Sequence, residues 1–191
     1  MVPKTTALLL LAAQQAWDEP YWGERNNPDA ETRMAELLAV FRAAGLVVVQ
    51  VGRSPRDPNS PLHAGEPGHA FRPATAPLAG EPVFTIPGHC AFTDTGLAAH
   101  LRAQGVDRLV LAGYTTSHGI SSTARSACEL GFRTVVAGDA CVAFELDDVD
   151  GRRMPAEVLH QAGLAALQGE FAVVLPTAAL LPLLGPPVPE P

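Results

Sequence analysis

Cysteine is scarce in this sequence of 191 residues, which contains only Cys90, Cys128 and Cys141. An odd number of unevenly spaced cysteines argues against a disulfide framework and does not match the paired spacing of a zinc knuckle. Free cysteines of this kind are typical of the reducing cytoplasm. We therefore expect a cytoplasmic protein.

Long apolar runs are also missing. No stretch approaches the roughly 18–20 apolar residues that a membrane-spanning helix needs. The sequence MVPKTTALLLLAAQQAW partly resembles a secretory signal, but its apolar run over residues 7–13 is short and a strand-then-helix pattern follows it. We expect neither secretion nor a membrane partner.

Positive charge is the third scarce feature. Thirteen Lys and Arg residues stand against 20 Asp and Glu residues, so the formal net charge is −7. Phosphate backbones and anionic membrane surfaces repel such a chain. Nucleic acid is therefore not an expected partner, and a small molecule is the expected ligand.

Six short apolar runs are present, and they predict strands. The runs are continuous rather than alternating, which is typical of parallel strands that are buried on both faces. They cover residues 7–12, 46–51, 82–86, 108–113, 133–138 and 171–176.

Segments with helical periodicity separate most of these strands. They cover residues 29–44, 95–104, 117–130 and 155–168, and a glycine follows each of them. The alternation predicts a three-layer α/β/α domain around a parallel sheet. We assign residues 1–182 to this domain and residues 183–191 to a proline-rich tail. Residues 52–81, which include six prolines, predict a long loop that closes a site or contacts another subunit.

The sequence contains no glycine-rich phosphate loop, no nucleophile elbow and no two histidines four residues apart on a helix. We therefore expect neither a cofactor nor a metal. His89 and His118 follow directly after predicted strands, whereas His100 and His160 are expected on helix surfaces. Because ligands of open α/β sheets bind beyond the carboxyl ends of the strands, His89 and His118 are expected to line a pocket.

Three strand ends are expected to converge on that pocket, near Ala12, Ile86 and Thr115. A helix that begins near Gly119 directs unpaired N–H groups toward it, as anion and oxyanion sites do. No carboxylate or lysine stands at the converging positions. Such a site is poorly equipped for ordinary hydrolytic acid–base chemistry.

Several stretches carry a family resemblance over almost all of residues 5–181. They include ALLLLAAQQAW, PYWGERNNPDAE, CAFTDTGL, LRAQGVDRLVLAGYTTSHGISSTAR and LGFRTVVAGDACVAF. In these stretches the chain resembles the isochorismatase-like hydrolase family, which includes nicotinamidases and N-carbamoylsarcosine amidohydrolases. The resemblance implies a Rossmann-type six-stranded parallel sheet in the order 3-2-1-4-5-6. It also implies a cis peptide bond between Tyr114 and Thr115.

The cysteine enzymes of that family use an aspartate base, a lysine and a cysteine nucleophile. The resemblance assigns these positions to Ala12, Ile86 and Gly119, so all three catalytic side chains are missing here. The family's isochorismatases also carry glycine at the nucleophile position but keep the aspartate and the lysine. We therefore do not expect a conventional cysteine amidohydrolase, since a fold implies a pocket rather than a reaction.

Two functions stay open. The first is a repurposed enzyme that acts on a small, largely apolar metabolite, for example in natural-product biosynthesis, by cyclisation, isomerisation, elimination or cysteine-independent hydrolysis. The second is a catalytically inactive pseudoenzyme that serves as a binding or partner subunit. Cys90, next to His89, is either a displaced nucleophile or a small filler.

For the enzyme, we expect catalysis by His89, His118 or Cys90. The residues expected to contact the substrate are Ala12, Gln15, Trp17, Ile86, Tyr114, Thr115 and Gly119. We also expect a homodimer or a higher homo-oligomer, because relatives use the loop after the second strand to close a pocket, sometimes across a subunit boundary.

Overall fold

The structure, a computed structural model, describes residues 4–184. Its strands are β1 (Thr6–Leu11), β2 (Val47–Arg53), β3 (Val83–Ile86), β4 (Arg108–Tyr114), β5 (Arg133–Val142), β6 (Leu146–Asp147), β7 (Arg153–Met154) and β8 (Val173–Leu175). Its α-helices are α1 (Ala30–Ala43), α2 (Leu97–Ala103), α3 (Ser121–Glu129), α4 (Ala156–Ala165) and α5 (Thr177–Leu184).

Six strands form one parallel sheet in the order β3-β2-β1-β4-β5-β8. This order confirms the predicted one, because β8 is the sixth predicted strand. The antiparallel pair β6–β7, which the sequence patterns did not predict, lies between β5 and α4 in the chain.

The central strand β1 explains the three layers. All six of its residues are buried, and successive side chains of a strand point to opposite faces. Leu8 and Leu10 pack with α1 and α5 on one face, whereas Leu9 and Leu11 pack with α2, α3 and α4 on the other. Two separate apolar cores therefore cover the sheet.

The bounds of several elements differ from the predicted ones. Strand β5 runs to Val142 instead of residue 138, and its register with β4 shifts between Leu111 and Gly113. A Cβ at Gly113 would collide with the backbone of Leu11, so the close approach of β4 to β1 requires glycine there. The helix predicted over residues 117–130 begins as a π-helical turn, Thr116–Ile120, before α3.

The last helix reaches two residues, 183 and 184, into the segment that the sequence assigns to the tail. Helix α5 continues through residues 183 and 184, and Leu184 is buried against the α1 side of the sheet. The apolar residues of this segment pack on the domain and so extend it. The remaining part of the predicted tail, residues 185–191, lies outside the described residues.

The long connection between β2 and β3 folds back onto the end of β1. The Arg72 N–H donates to the Ala13 carbonyl at 2.9 Å, and the Gln15 N–H donates to the Ala70 carbonyl at 2.9 Å. The connection therefore forms a wall beside the carboxyl end of the sheet. Its contact with another subunit stays a prediction. Among residues 4–184 no helix is long and apolar enough to cross a membrane.

Candidate functional site

Three strand ends meet around a small cavity at the carboxyl edge of the sheet. Ala12 follows β1, Ile86 ends β3, and Gly119 lies in the turn after β4; all three line this cavity. Its volume of about 20 Å³ holds about one water molecule. Three more residues predicted to contact substrate also line it: Trp17, Tyr114 and Thr115. The structure thus brings together the positions that the resemblance assigned to aspartate, lysine and cysteine.

Gly119 is required by the backbone around it. A Cβ at this position would lie 2.7 Å from the Tyr114 carbonyl oxygen, closer than ordinary carbon–oxygen contact. The obstacle is backbone, and the Ile120 N–H donates to the Thr115 carbonyl at 3.0 Å, which holds the π-helical turn closed. The local backbone geometry therefore requires glycine at this position, and a side chain here would displace the turn.

His160 supports this turn from α4. It is 2 % exposed, and its Nδ1 lies 2.8 Å from the Thr116 hydroxyl while its Nε2 lies 3.3 Å from the Asn27 amide nitrogen. Burial lowers its pKa. The expectation of a surface histidine is wrong, because α4 directs this residue inward against the turn. His160 thereby positions the segment that carries His118.

Thr115 lines the cavity where β4 ends. The peptide bond between Tyr114 and Thr115 is cis, as the resemblance implied. The Thr115 carbonyl accepts hydrogen bonds from the N–H groups of His118 and Ile120, whereas within residues 4–184 the Thr115 N–H has no acceptor. A free N–H on a residue that lines a cavity is a candidate donor to a developing oxyanion.

His89 and His118 face each other beside the small cavity. Their ring centroids are 5.2 Å apart, and the His118 Nδ1 lies 3.1 Å from both the Thr115 and the Ser117 hydroxyl oxygens. Both histidines are partly open to solvent. Their partial burial lowers the pKa of both, and the positive charge of Arg53 lowers it further. Both imidazoles are therefore neutral near pH 7, the form that accepts a proton.

A larger cavity of about 230 Å³ adjoins the histidines. At about 30 Å³ per water molecule it holds roughly seven or eight waters, so its ligand is small. Trp17, Trp22 and Phe144 form an aromatic wall, with the rings of Trp17 and Phe144 5.6 Å apart. Four residues line both cavities and make them one site: Trp17, Arg53, His89 and Thr115.

Arg53 is a site residue that the sequence interpretation missed. It ends β2 and pairs in register with Ile86 of β3, so its cationic side chain lies one strand away from the position of the family's lysine. Gln14, which is fully buried, fixes its backbone: the Arg53 N–H donates to Gln14 Oε1 at 2.7 Å, and Gln14 Nε2 donates to the Arg53 carbonyl at 3.0 Å. The position of Arg53 at the carboxyl end of a parallel strand is the sequence feature that predicts a place in the site.

Two predicted site residues line neither cavity. Cys90 directs its thiol toward α3, where it donates to the Ser126 hydroxyl at 3.2 Å. Gln15 is exposed, and its amide donates to the Phe71 carbonyl at 3.1 Å. The small-filler interpretation of Cys90 therefore fits better than a displaced nucleophile. Among residues 4–184, no three His, Cys, Asp or Glu side chains gather to hold a metal ion.

A paired charge cluster lies behind Tyr114. The Tyr114 hydroxyl donates to Glu31, and Arg25 donates to both carboxylate oxygens of Glu31 at 2.5 and 2.7 Å. Burial alone would raise the pKa of Glu31, but the hydrogen bonds from Arg25 and Tyr114 outweigh it and lower the pKa to about 2. Arg72 lies over the Tyr114 ring and pairs with Asp18 at 2.7 Å. This cluster fixes Tyr114 in the wall of the small cavity.

Comparison with known proteins agrees with this architecture. The isochorismatase domain model matches residues 6–179. A solved isochorismatase-family structure from Chromobacterium violaceum ATCC 12472 is 42% identical with a TM-score of 0.93, covering 97% of this chain and 96% of that one. The isochorismatase family protein YrdC of Bacillus subtilis (strain 168) is 33% identical over 92% of this chain and 94% of its own length. Maleamate amidohydrolase of Pseudomonas putida KT2440 is 38% identical over 76% of this chain and 70% of its own length. The chain therefore belongs to the isochorismatase family.

Proposed function

We propose that this protein is an enzyme that uses the His89–His118 pair for acid–base chemistry in place of a cysteine thiolate. The reaction that the site supports best is cysteine-independent hydrolysis of a small metabolite. His89, neutral near pH 7, accepts a proton from a water molecule whose oxygen attacks the substrate carbonyl carbon. The Thr115 N–H stabilises the resulting oxyanion, and the proton held by His89 passes to the leaving group as the carbon–heteroatom bond breaks.

The observation that carries this proposal is the position of the two histidines. They face each other at 5.2 Å beside a cavity that Thr115, whose N–H has no acceptor within residues 4–184, also lines. Their lowered pKa values favour the proton-accepting form. The family is a hydrolase family, and one relative is named as an amidohydrolase, which supports hydrolysis over cyclisation, isomerisation or elimination.

The second candidate is a catalytically inactive binding or partner subunit. The observation that favours it is the set of side chains at the three catalytic positions, since Ala12, Ile86 and Gly119 supply no base, cation or nucleophile. The two candidates share the cavity and differ only in turnover.

The test is product formation, followed by mass spectrometry, from a panel of small amides, esters and vinyl ethers. We expect His89→Ala and His118→Ala each to lower turnover roughly 10²–10⁴-fold, the usual contribution of a general acid or base. His100→Ala on α2 is the matched control, since His100 packs against Phe84 and lines neither cavity, and it leaves turnover unchanged. If no panel member reacts, the inactive candidate is favoured. If both histidine variants remain active while Cys90→Ser is inactive, a thiol mechanism replaces this one.

We further propose that the protein is a cytoplasmic homodimer or larger homo-oligomer. The exposed Leu183 of α5 and the long connection after β2 support this assembly. Light scattering at micromolar concentration is the test, and a mass equal to the 20.0 kDa of one chain would overturn it.

A further inference from the structure

The guanidinium group of Arg53 lies in the site without an anionic partner. Within residues 4–184 no carboxylate pairs with it. Its Nε is buried and has no hydrogen-bond acceptor, and its one side-chain contact of hydrogen-bonding type is the 3.5 Å approach of Nη2 to His89 Nε2. Arginine stays charged in proteins, so this cation is partly desolvated, and no carboxylate within residues 4–184 compensates for it.

Other partly buried arginines of the chain have carboxylate partners. Arg25, Arg42 and Arg72 are partly buried, and each pairs with a carboxylate at 2.5–2.7 Å. No Asp or Glu lines either cavity, although the chain has 20 of them and a net charge of −7. The site is thus a positively charged cavity in an acidic protein.

We propose that Arg53 binds a carboxylate group of the substrate. Arg53 lines both cavities, and Gln14 fixes its backbone, so its guanidinium fork extends from a fixed point of the site. A planar carboxylate accepts two parallel hydrogen bonds from such a fork. The proposal rests on the proposed function only for the location of the site, and it names the substrate class.

The aromatic wall determines the rest of the ligand. Trp17, Trp22 and Phe144 face the larger cavity, where a flat apolar body would pack against them. A carboxylate on Arg53 then lies within reach of His89, which Arg53 approaches at 3.5 Å. The proposed substrate class is therefore a small carboxylate with a flat, unsaturated body, in place of the largely apolar metabolite expected from the sequence.

The two tryptophans of the chain supply the assay, because both line the larger cavity. Their fluorescence is titrated with benzoate and with benzamide, its neutral counterpart of the same shape. We expect benzoate to bind roughly 10- to 100-fold more tightly, the share of charge-assisted hydrogen bonds. Equal binding of the two probes, or no binding of benzoate, would overturn the proposal.

Variants assign the preference to Arg53. Arg53→Gln removes the charge and is expected to abolish the preference for benzoate while benzamide still binds, which shows that the cavity is intact. Arg56→Gln, an exposed arginine in the same connection, is the matched control and keeps the preference. If Arg53→Gln does not fold, Arg53→Lys serves instead and binds benzoate several-fold more weakly with benzamide unchanged. A benzoate preference that persists unchanged in the Arg53 variant would overturn the assignment.

Two further readouts separate this inference from its alternatives. Inorganic phosphate that binds more tightly than benzoate would replace the carboxylate with a phosphoryl ligand and overturn the substrate class. Benzoate is also expected to raise the pKa of His89 and His118, measured by NMR titration, because it neutralises the charge that lowers them. These measurements need no turnover, so the binding site can be confirmed even where the proposed hydrolysis fails.

Discussion

Two clusters of charged side chains share Tyr114 as a neighbour and are built in opposite ways. In the first, which we call the paired cluster, Arg25 and Arg72 each have a carboxylate partner, Glu31 and Asp18. In the second, Arg53 lies with His89 and His118 and pairs with no carboxylate of residues 4–184. A paired charge stabilises the fold, whereas an uncompensated charge in a cavity costs stability and is available to a ligand. The comparison separates the groups that hold the site from those that act in it.

The largest expected change in stability comes from a substitution in the paired cluster. Glu31→Ala leaves Arg25 half-buried without its partner and is expected to lower the free energy of unfolding by about 3 kcal/mol. Urea denaturation measures the loss. Glu36→Ala on the same helix is the matched control, since the Glu36–Arg33 pair is exposed and is worth less than about 1 kcal/mol. Similar losses in the two variants would show that the paired cluster does not stabilise the fold.

Acid pH is a second test of the same cluster. The fold lowers the pKa of Glu31 to about 2 from its ordinary value of 4.5. The resulting stabilisation is complete above pH 4.5 and is lost as pH falls through 2, and it amounts to at most about 3 kcal/mol. Urea denaturation across this range should give a steeper loss for the native chain than for Glu31→Gln. Parallel curves would contradict the assignment.

The turn that carries His118 provides the next test. Gly119→Ala places a Cβ 2.7 Å from the Tyr114 carbonyl oxygen and is expected to cost about 1–3 kcal/mol through overpacking. Gly88→Ala is the control, since a Cβ there meets nothing within 4 Å. For the same reason, the combined variant Ala12→Asp, Ile86→Lys and Gly119→Cys should show no maleamate or nicotinamide hydrolysis. Ordinary turnover by that variant would mean that the cavity still accepts the family's chemistry.

The smallest expected effect has the opposite sign. Arg53→Met removes a desolvated, unpaired charge and keeps an unbranched apolar side chain, so the free energy of unfolding should rise by about 1 kcal/mol. Arg56→Met in the exposed part of the same connection should change it by less than about 0.5 kcal/mol. A loss of stability in Arg53→Met would place Arg53 among the structural charges and remove the contrast between the clusters.

Much of the fold could be predicted because its signals are local. A continuous apolar run such as β1 needs no partner to indicate burial on both faces, and Gly45, with φ +60°, ends α1 as expected. Two of the differences from the prediction are set by contacts between distant segments, whereas the missed pair β6–β7 is local. Helix α5 forms against α1, and β5 is extended by its irregular pairing with β4.

The candidate site was predicted in part for a similar reason. The carboxyl ends of parallel strands share one edge, so the meeting of Ala12, Ile86 and Thr115 followed from strand order. Strand order did not predict the direction in which each side chain points. Cys90 and Gln15 stand at suitable sequence positions, yet local turns direct them away from the cavities.

The sequence by itself determined that Ala12, Ile86 and Gly119 have no group that could act as a base, a cation or a nucleophile. Only the tertiary structure decided which ionisable groups lie together beside them. His89 and His118 face each other, and Arg53 has no carboxylate partner, through distances between segments 29–65 residues apart in the chain. The physical reason is that the solvation and the pairing of a charge depend on all the groups that fold around it, whereas the identity of a side chain is fixed by the sequence alone.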